Sequence, residues 1–96
     1  MAEGAEAIRA EVVVSGRVQG VWFRGTTCQM ARELDLTGWV RNRPDGKVAA
    51  VFEGEASRVR RMVSWCHHGP RLAQVESVEV CWGRATGEFM DFNMRY

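Results

Sequence analysis

The sequence predicts an α+β sandwich in which two helices lie on one face of an antiparallel sheet, and three observations lead there. Stretches with the two-residue period of a strand and stretches with the 3.6-residue period of a helix follow one another as strand, helix, strand, strand, helix, strand, with a further strand pattern at the end. Each helix pattern has an apolar face, so each needs a surface to cover. Ninety-six residues support one hydrophobic core but not two, so all of these elements share it. The organisation expected is therefore a disordered tail over residues 1–7 and a single domain over residues 8–96.

The first strand is expected from Ile8 to Ser15, where Ile8-Arg9-Ala10-Glu11-Val12-Val13-Val14 mostly alternates. Gly16 and Gly20 bracket the turn that follows. The first helix is expected from Phe23 to Leu36, with Phe23, Met30, Ala31 and Leu34 on one face and Gly38 as its left-handed stop. Gly25 and two threonines weaken its first turn; glycine there costs about 1 kcal/mol against alanine, so the backbone is wanted close to something. The second strand is Trp39 to Asn42, and Arg43-Pro44-Asp45-Gly46 turns the chain into a third strand, Lys47 to Glu53. Ser57 reads as the N-cap of the second helix, in which Val59, Met62, Val63 and Cys66 recur at amphipathic spacing, and Gly69-Pro70 ends it. A fourth strand runs from Val75 to Trp82. Phe89, Met90, Phe92 and Met94 give a last one reaching Tyr96. The four tryptophans are expected to pack.

This order, βαββαβ plus a C-terminal strand, is that of a ferredoxin-like sandwich. If the first strand runs up, the helix returns down and the second strand runs up again. The carboxyl ends of both strands then share one edge of the sheet, and with the third strand between them they stand about 10 Å apart. The glycine turn and Asn42 become neighbours.

Composition narrows the partners. Thirteen basic against twelve acidic residues give no bulk field for nucleic acid or a membrane surface, so an anion must be bound locally. Cys28, Cys66 and Cys81 are odd in number and lack metal-ligand spacing, and they read as reduced thiols of a cytoplasmic protein. The first seven residues carry neither a basic region nor an apolar stretch, and no run approaches membrane-spanning length.

The turn between the first strand and first helix is suited to an anion. Backbone N–H groups between its glycines, with the free N–H groups of the helix N-terminus, converge on one acceptor. Arg24 lies at the positive end of the helix dipole, where a cation is mildly unfavourable unless an anion sits between them. The stretch also fits a plain tight connection with a solvated arginine, and it lacks the Gly-Lys-Ser/Thr of a nucleotide phosphate loop. Asn42 either opens the Pro-Asp-Gly turn or fixes a water molecule; a carboxamide is no general base. No carboxylate cluster, histidine or nucleophile stands beside the loop. An acyl phosphate leaves as a stable carboxylate and mainly needs charge stabilisation, so such a pocket suits it better than a phosphate ester.

Gly16-Arg17-Val18-Gln19-Gly20-Val21-Trp22-Phe23-Arg24 resembles the acylphosphatase signature throughout. Gly38-Trp39-Val40-Arg41-Asn42, followed by Asp45-Gly46 and Val48, resembles that family's second motif. Gly69-Pro70, Ala73, Val75 and the closing Phe92 to Tyr96 also look like family features, so the resemblance spans nearly the whole chain. It implies hydrolysis of small acyl phosphates to carboxylate and inorganic phosphate, without metal, cofactor or phosphoenzyme, by a monomer. By position, Arg24 resembles the phosphate-binding arginine, Asn42 the water-orienting asparagine, and Gln19, Gly20, Val21, Trp22 and Phe23 the phosphate cradle. Trp22 falls at a variable position of the motif.

Two further readings belong to other classes. A phosphate or carbamoyl phosphate binding module without catalysis would keep the same loop. An RNA-binding ferredoxin-like domain would want aromatics on its central strands, and the first strand has none. His67 and His68 suit a solvated helix end, and Arg58, Arg60 and Arg61 its wet face. Cys28 is expected to face the core or lie half-buried near the helix start, a place that lowers a thiol pKa.

Overall fold

The computed structural model describes residues 6–96, so residues 1–5 of the tail expected over residues 1–7 lie outside the described residues, while Ala7 already belongs to the first strand and the Glu6 carbonyl accepts from the Ala56 N–H. The elements are β1 (Ala7–Arg17), α1 (Phe23–Glu33), β2 (Thr37–Asn42), β3 (Val48–Glu55), α2 (Ala56–Cys66), β4 (Gln74–Arg84) and β5 (Phe92–Arg95). They form an α+β, ferredoxin-like arrangement of two helices on a five-stranded sheet ordered β4-β1-β3-β2-β5. As expected, β3 lies between β1 and β2. The register pairs Val12 with Ala50 and Val40 with Ala50, which brings the carboxyl ends of β1 and β2 to one edge.

One feature of the sheet departs from the expectation. It is antiparallel from β4 to β2, but β5 runs parallel to β2, pairing Val40 with Met94. The direction follows from the connection. β4 runs the same way as β3 and ends at the bottom of the sheet, so residues 85–91 cross to the far edge and β5 must rise beside a strand that is itself rising. Its last residues arrive where β1 and β2 end.

The helix-facing side of the sheet is apolar. Val12 and Val14 of β1, Val48, Ala50 and Phe52 of β3, and Val40 of β2 pack with Val59, Met62 and Val63 of α2 and Phe23 and Ala31 of α1. Phe52 stacks on Phe92 with ring centroids 5.4 Å apart, which fastens β5 to the core. β3 is buried on both faces, including the carboxylate of Glu53. That carboxylate accepts from Arg9 Nη1 at 2.8 Å, from the Thr86 N–H and hydroxyl at 3.0 and 2.9 Å, and from the Gly87 N–H at 3.0 Å. Four donors offset the loss of water around a buried charge. Glu53 thereby clasps the 85–91 crossover to the open face of the sheet.

Several local expectations shift. α1 stops at Glu33, earlier than Leu36, because Asp35, at φ 55°, is the left-handed residue that closes it, and the positive φ of Gly38, 134°, comes after the helix has ended. Leu36 N–H donates to the Ala31 carbonyl and Asp35 N–H to that of Arg32, the paired bonds of a Schellman motif. Gly38 lies within β2. α2 begins at Ala56 directly off β3, with Glu55 in the N-cap position; Ser57 sits inside the first turn and its hydroxyl donates to Glu55. Trp65 packs on Phe23, but Trp22 and Trp82 stand exposed, against the expectation that all four tryptophans pack.

Candidate active site

The loop between β1 and α1 is shaped by two different demands on glycine. Gly16 belongs to β1, at a bulge in the pairing with β4, where a Cβ would lie 2.2 Å from the Gln74 carbonyl oxygen. Its role is close approach of two strands, and the turn proper begins after Arg17. Gly20 has open space where a Cβ would stand, and what it supplies is a φ of 74°. Two residues on, Trp22 is also left-handed, at φ 64° and ψ 23°, and occupies the N-cap position of α1 without a side-chain cap. Alternation of left- and right-handed residues is the backbone form that turns successive N–H groups to one side.

The helix adds donors to that concavity. Its first bond runs from Thr26 N–H to the Trp22 carbonyl, which leaves the N–H groups of Phe23, Arg24 and Gly25 facing what precedes the helix. No acidic side chain stands in the first turn to occupy them. The positive end of the dipole is open to an anion.

Both polar candidates from the sequence border the same cavity of about 270 Å³, Arg24 on the loop and helix side and Asn42 on the strand side. Gly20, Trp22 and Phe23 border it too, and its floor includes Val18. Val21 is buried beneath the loop. The side chains of the cavity wall include one cation, and none is a carboxylate. Arg24 is held from above by Tyr96, whose ring lies 4.9 Å from the guanidinium carbon. Tyr96 follows the last paired residue of β5, where the parallel register carries it alongside Asn42. Met94 and Tyr96 thus complete the strand side, an arrangement the sequence reading did not foresee for want of the parallel β5.

The Gln19 side chain has a part that its position in the motif did not suggest. Its carboxamide Nε2 donates to the carbonyls of Arg43, at 2.8 Å, and Lys47, at 2.9 Å. The side chain is thus engaged with the β2–β3 turn, and only its backbone N–H is available to the cradle. That turn is set by Arg43 N–H donating to Lys47 O and by Asp45, which accepts from the Lys47 N–H. The Lys47 amide, and then the charges of Arg43 and Lys47, hold the Asp45 carboxyl below the usual range. The turn after Asn42 is therefore built by its neighbours, and Asn42 itself is left facing the cavity.

The remaining candidates lie away from this site. Cys28 is buried with its Sγ 3.7 Å from the Phe92 carbonyl, Cys66 is buried in the core with its thiol pushed up to about 12 by desolvation, and Cys81 is exposed on β4. His67 and His68 are exposed at the end of α2, with His67 Nδ1 3.1 Å from the Val63 carbonyl. Among the described residues, no helix is long and apolar enough to cross a membrane.

Comparison with known proteins places this geometry among relatives. Residues 10–94 match the family model for acylphosphatase. An acylphosphatase of Roseiflexus sp. (strain RS-1) is 56% identical over 86 residues, which cover 90% of this chain and 92% of that relative. The crystal structure of acylphosphatase from Bacillus subtilis superposes with a TM-score of 0.88 at 31% identity, covering 93% of this chain and 99% of the other. An acylphosphatase structure from Coxiella burnetii gives a TM-score of 0.86 at 37% identity, with 94% of each chain covered.

Proposed function

This chain belongs to the acylphosphatase family, and from that premise we propose that its cavity hydrolyses the carboxyl–phosphate bond of small acyl phosphates with Arg24 and Asn42 as the working side chains. The observation that carries the reading is the meeting of a guanidinium, a carboxamide and an uncapped helix N-terminus around one cavity with no Asp or Glu side chain on its wall. The phosphate lies against the N–H groups between Gln19 and Arg24, including those of Gly20, Val21, Trp22 and Phe23. Arg24 takes two of its oxygens with its planar fork of donors.

Asn42 accepts one hydrogen bond from a water and donates another to it, which orients the lone pair toward phosphorus on the strand side. The water oxygen bonds to phosphorus as the bond from phosphorus to the acyl oxygen breaks. The acyl group departs as a carboxylate carrying the electron pair. The proton of the water passes to a phosphate oxygen, since no carboxylate or imidazole side chain borders the cavity. The N–H groups and Arg24 stabilise the charge that gathers on the equatorial oxygens, so the reaction runs without metal, cofactor or phosphoenzyme. The proposal extends to a monomer acting in the cytoplasm on small molecules, with no nucleic acid partner, a reading supported by near-neutral net charge and three free cysteines.

The test is hydrolysis of benzoyl phosphate in excess chelator by the native chain, Arg24→Gln and Asn42→Ala. Turnover is expected to survive chelation. Arg24→Gln is expected to lower kcat/KM at least 10²-fold and to weaken inhibition by inorganic phosphate, on the order of what one preorganised donor contributes. Asn42→Ala is expected to lower kcat by a similar factor while phosphate inhibition persists. A folded native chain that binds phosphate without turnover would overturn the enzymatic reading in favour of an anion-binding module.

A further inference from the structure

Two unfavourable local choices converge on one side chain at the mouth of the cavity. Trp22 holds a left-handed backbone, which bulky residues rarely adopt, yet its ring is 76% exposed and gains little from the core. Three residues later, Gly25 stands in the first turn of α1, where glycine weakens a helix. The two are linked. A Cβ at position 25 would lie 3.1 Å from Cε3 of the Trp22 ring, so the glycine gives the indole room to lie over the first turn, and an alanine there would ask the ring to shift by a few tenths of an ångström. Across the mouth, Met94 and Tyr96 expose further apolar surface into the same cavity.

The phosphate cradle needs only the backbone N–H of residue 22 and has no use for the indole. In-line attack does give the ring a use. With water delivered from the strand side by Asn42, the acyl group leaves phosphorus on the opposite side, toward the wall that Trp22 forms. Resting on the acylphosphatase reading above, we propose that the Trp22 indole is the platform for the acyl group, so that this chain prefers acyl phosphates with an aromatic or extended apolar acyl group over those of one- or two-carbon acids. An indole face stacks on an aryl group and covers an alkyl chain equally well, and neither contact is open to an acetyl group.

The experiment compares kcat/KM for benzoyl and acetyl phosphate in the native chain, Trp22→Asn and Gly25→Ala. Asparagine tolerates the left-handed backbone, so it removes the ring and leaves the N–H groups in place. Gly25→Ala favours the helix and pushes the ring aside. The benzoyl-to-acetyl ratio is expected to fall about three- to tenfold in Trp22→Asn, the size of one aromatic contact, and to fall in the same sense in Gly25→Ala. Inhibition constants for benzoylphosphonate and acetylphosphonate, which share the phosphonate and have no bond to hydrolyse, are expected to converge in both variants. A ratio and inhibition constants unchanged by loss of the ring would overturn the platform and leave the acylphosphatase reading standing. If the native chain hydrolyses neither acyl phosphate, both readings fall.

Discussion

Gln19 gives both hydrogens of its carboxamide to the carbonyls of Arg43 and Lys47, and so ties the phosphate loop to the turn that begins just after Asn42. The chemistry asks two groups on different strands to meet one phosphorus, and a displacement of about 1 Å can cost up to 10²-fold in rate. Gln19→Leu, which keeps the bulk and removes both bonds, is therefore expected to lower kcat for benzoyl phosphate about tenfold or more. Inhibition by inorganic phosphate, which needs the cradle but not Asn42, is expected to change less. Equal losses in the two measurements would show that the loop itself had collapsed and that the brace has no separate positioning role. At this scale the sequence was legible wherever chemistry and motif coincide, as at Arg24 and Asn42. It was silent about the Gln19 side chain and about Glu53, because their partners lie 24 to 44 residues away and are mostly backbone groups that no residue type announces.

Helix α1 shows what could and could not be read for a whole element. Its start at Phe23 followed from the apolar period and the glycine turn. Its end did not, since Asp35 competes with glycine for the left-handed position that closes a helix and only the backbone shows which residue took it. The strand directions were legible as far as β4, while the parallel β5 depended on a crossover that local periodicity does not encode. Within α1, Thr27 is fully buried and its hydroxyl has no hydrogen-bond partner among the described residues. A buried hydroxyl left without a partner costs about 1–3 kcal/mol. Valine has nearly the same shape and a similar helix propensity, so Thr27→Val is expected to raise stability by about 1 kcal/mol in urea unfolding, with the m-value unchanged. A destabilised variant would place an unseen acceptor or water at that hydroxyl.

Across the whole molecule, the sheet brings residues from β1, β3 and the 85–91 crossover onto one carboxylate, and this couples the fold to pH. Burial alone would raise the Glu53 carboxyl; the Thr86 amide, Arg9, the Gly87 amide and the Thr86 hydroxyl together outweigh it and hold it below its ordinary value of 4.5. Arg9 is correspondingly raised, chiefly by Glu53. A carboxyl depressed in the folded state contributes its full stability above the unfolded value, and that contribution drains away as pH falls through the folded one. The native chain is thus expected to lose thermal stability below about pH 4.5 more steeply than Glu53→Gln. At pH 7 that variant is expected to be less stable by about 3 kcal/mol, because Arg9 loses its most buried partner. Parallel pH profiles of the two proteins would remove Glu53 from this role. Among the described residues β4 pairs only with β1, so eleven residues present one row of backbone donors and acceptors to solvent, with Glu76 and Glu79 among the charges along that rim. As the Glu53 clasp loosens in acid, this rim is what one unfolding molecule offers another, so recovery becomes a contest between refolding within one molecule and strand addition between two, decided by protein concentration.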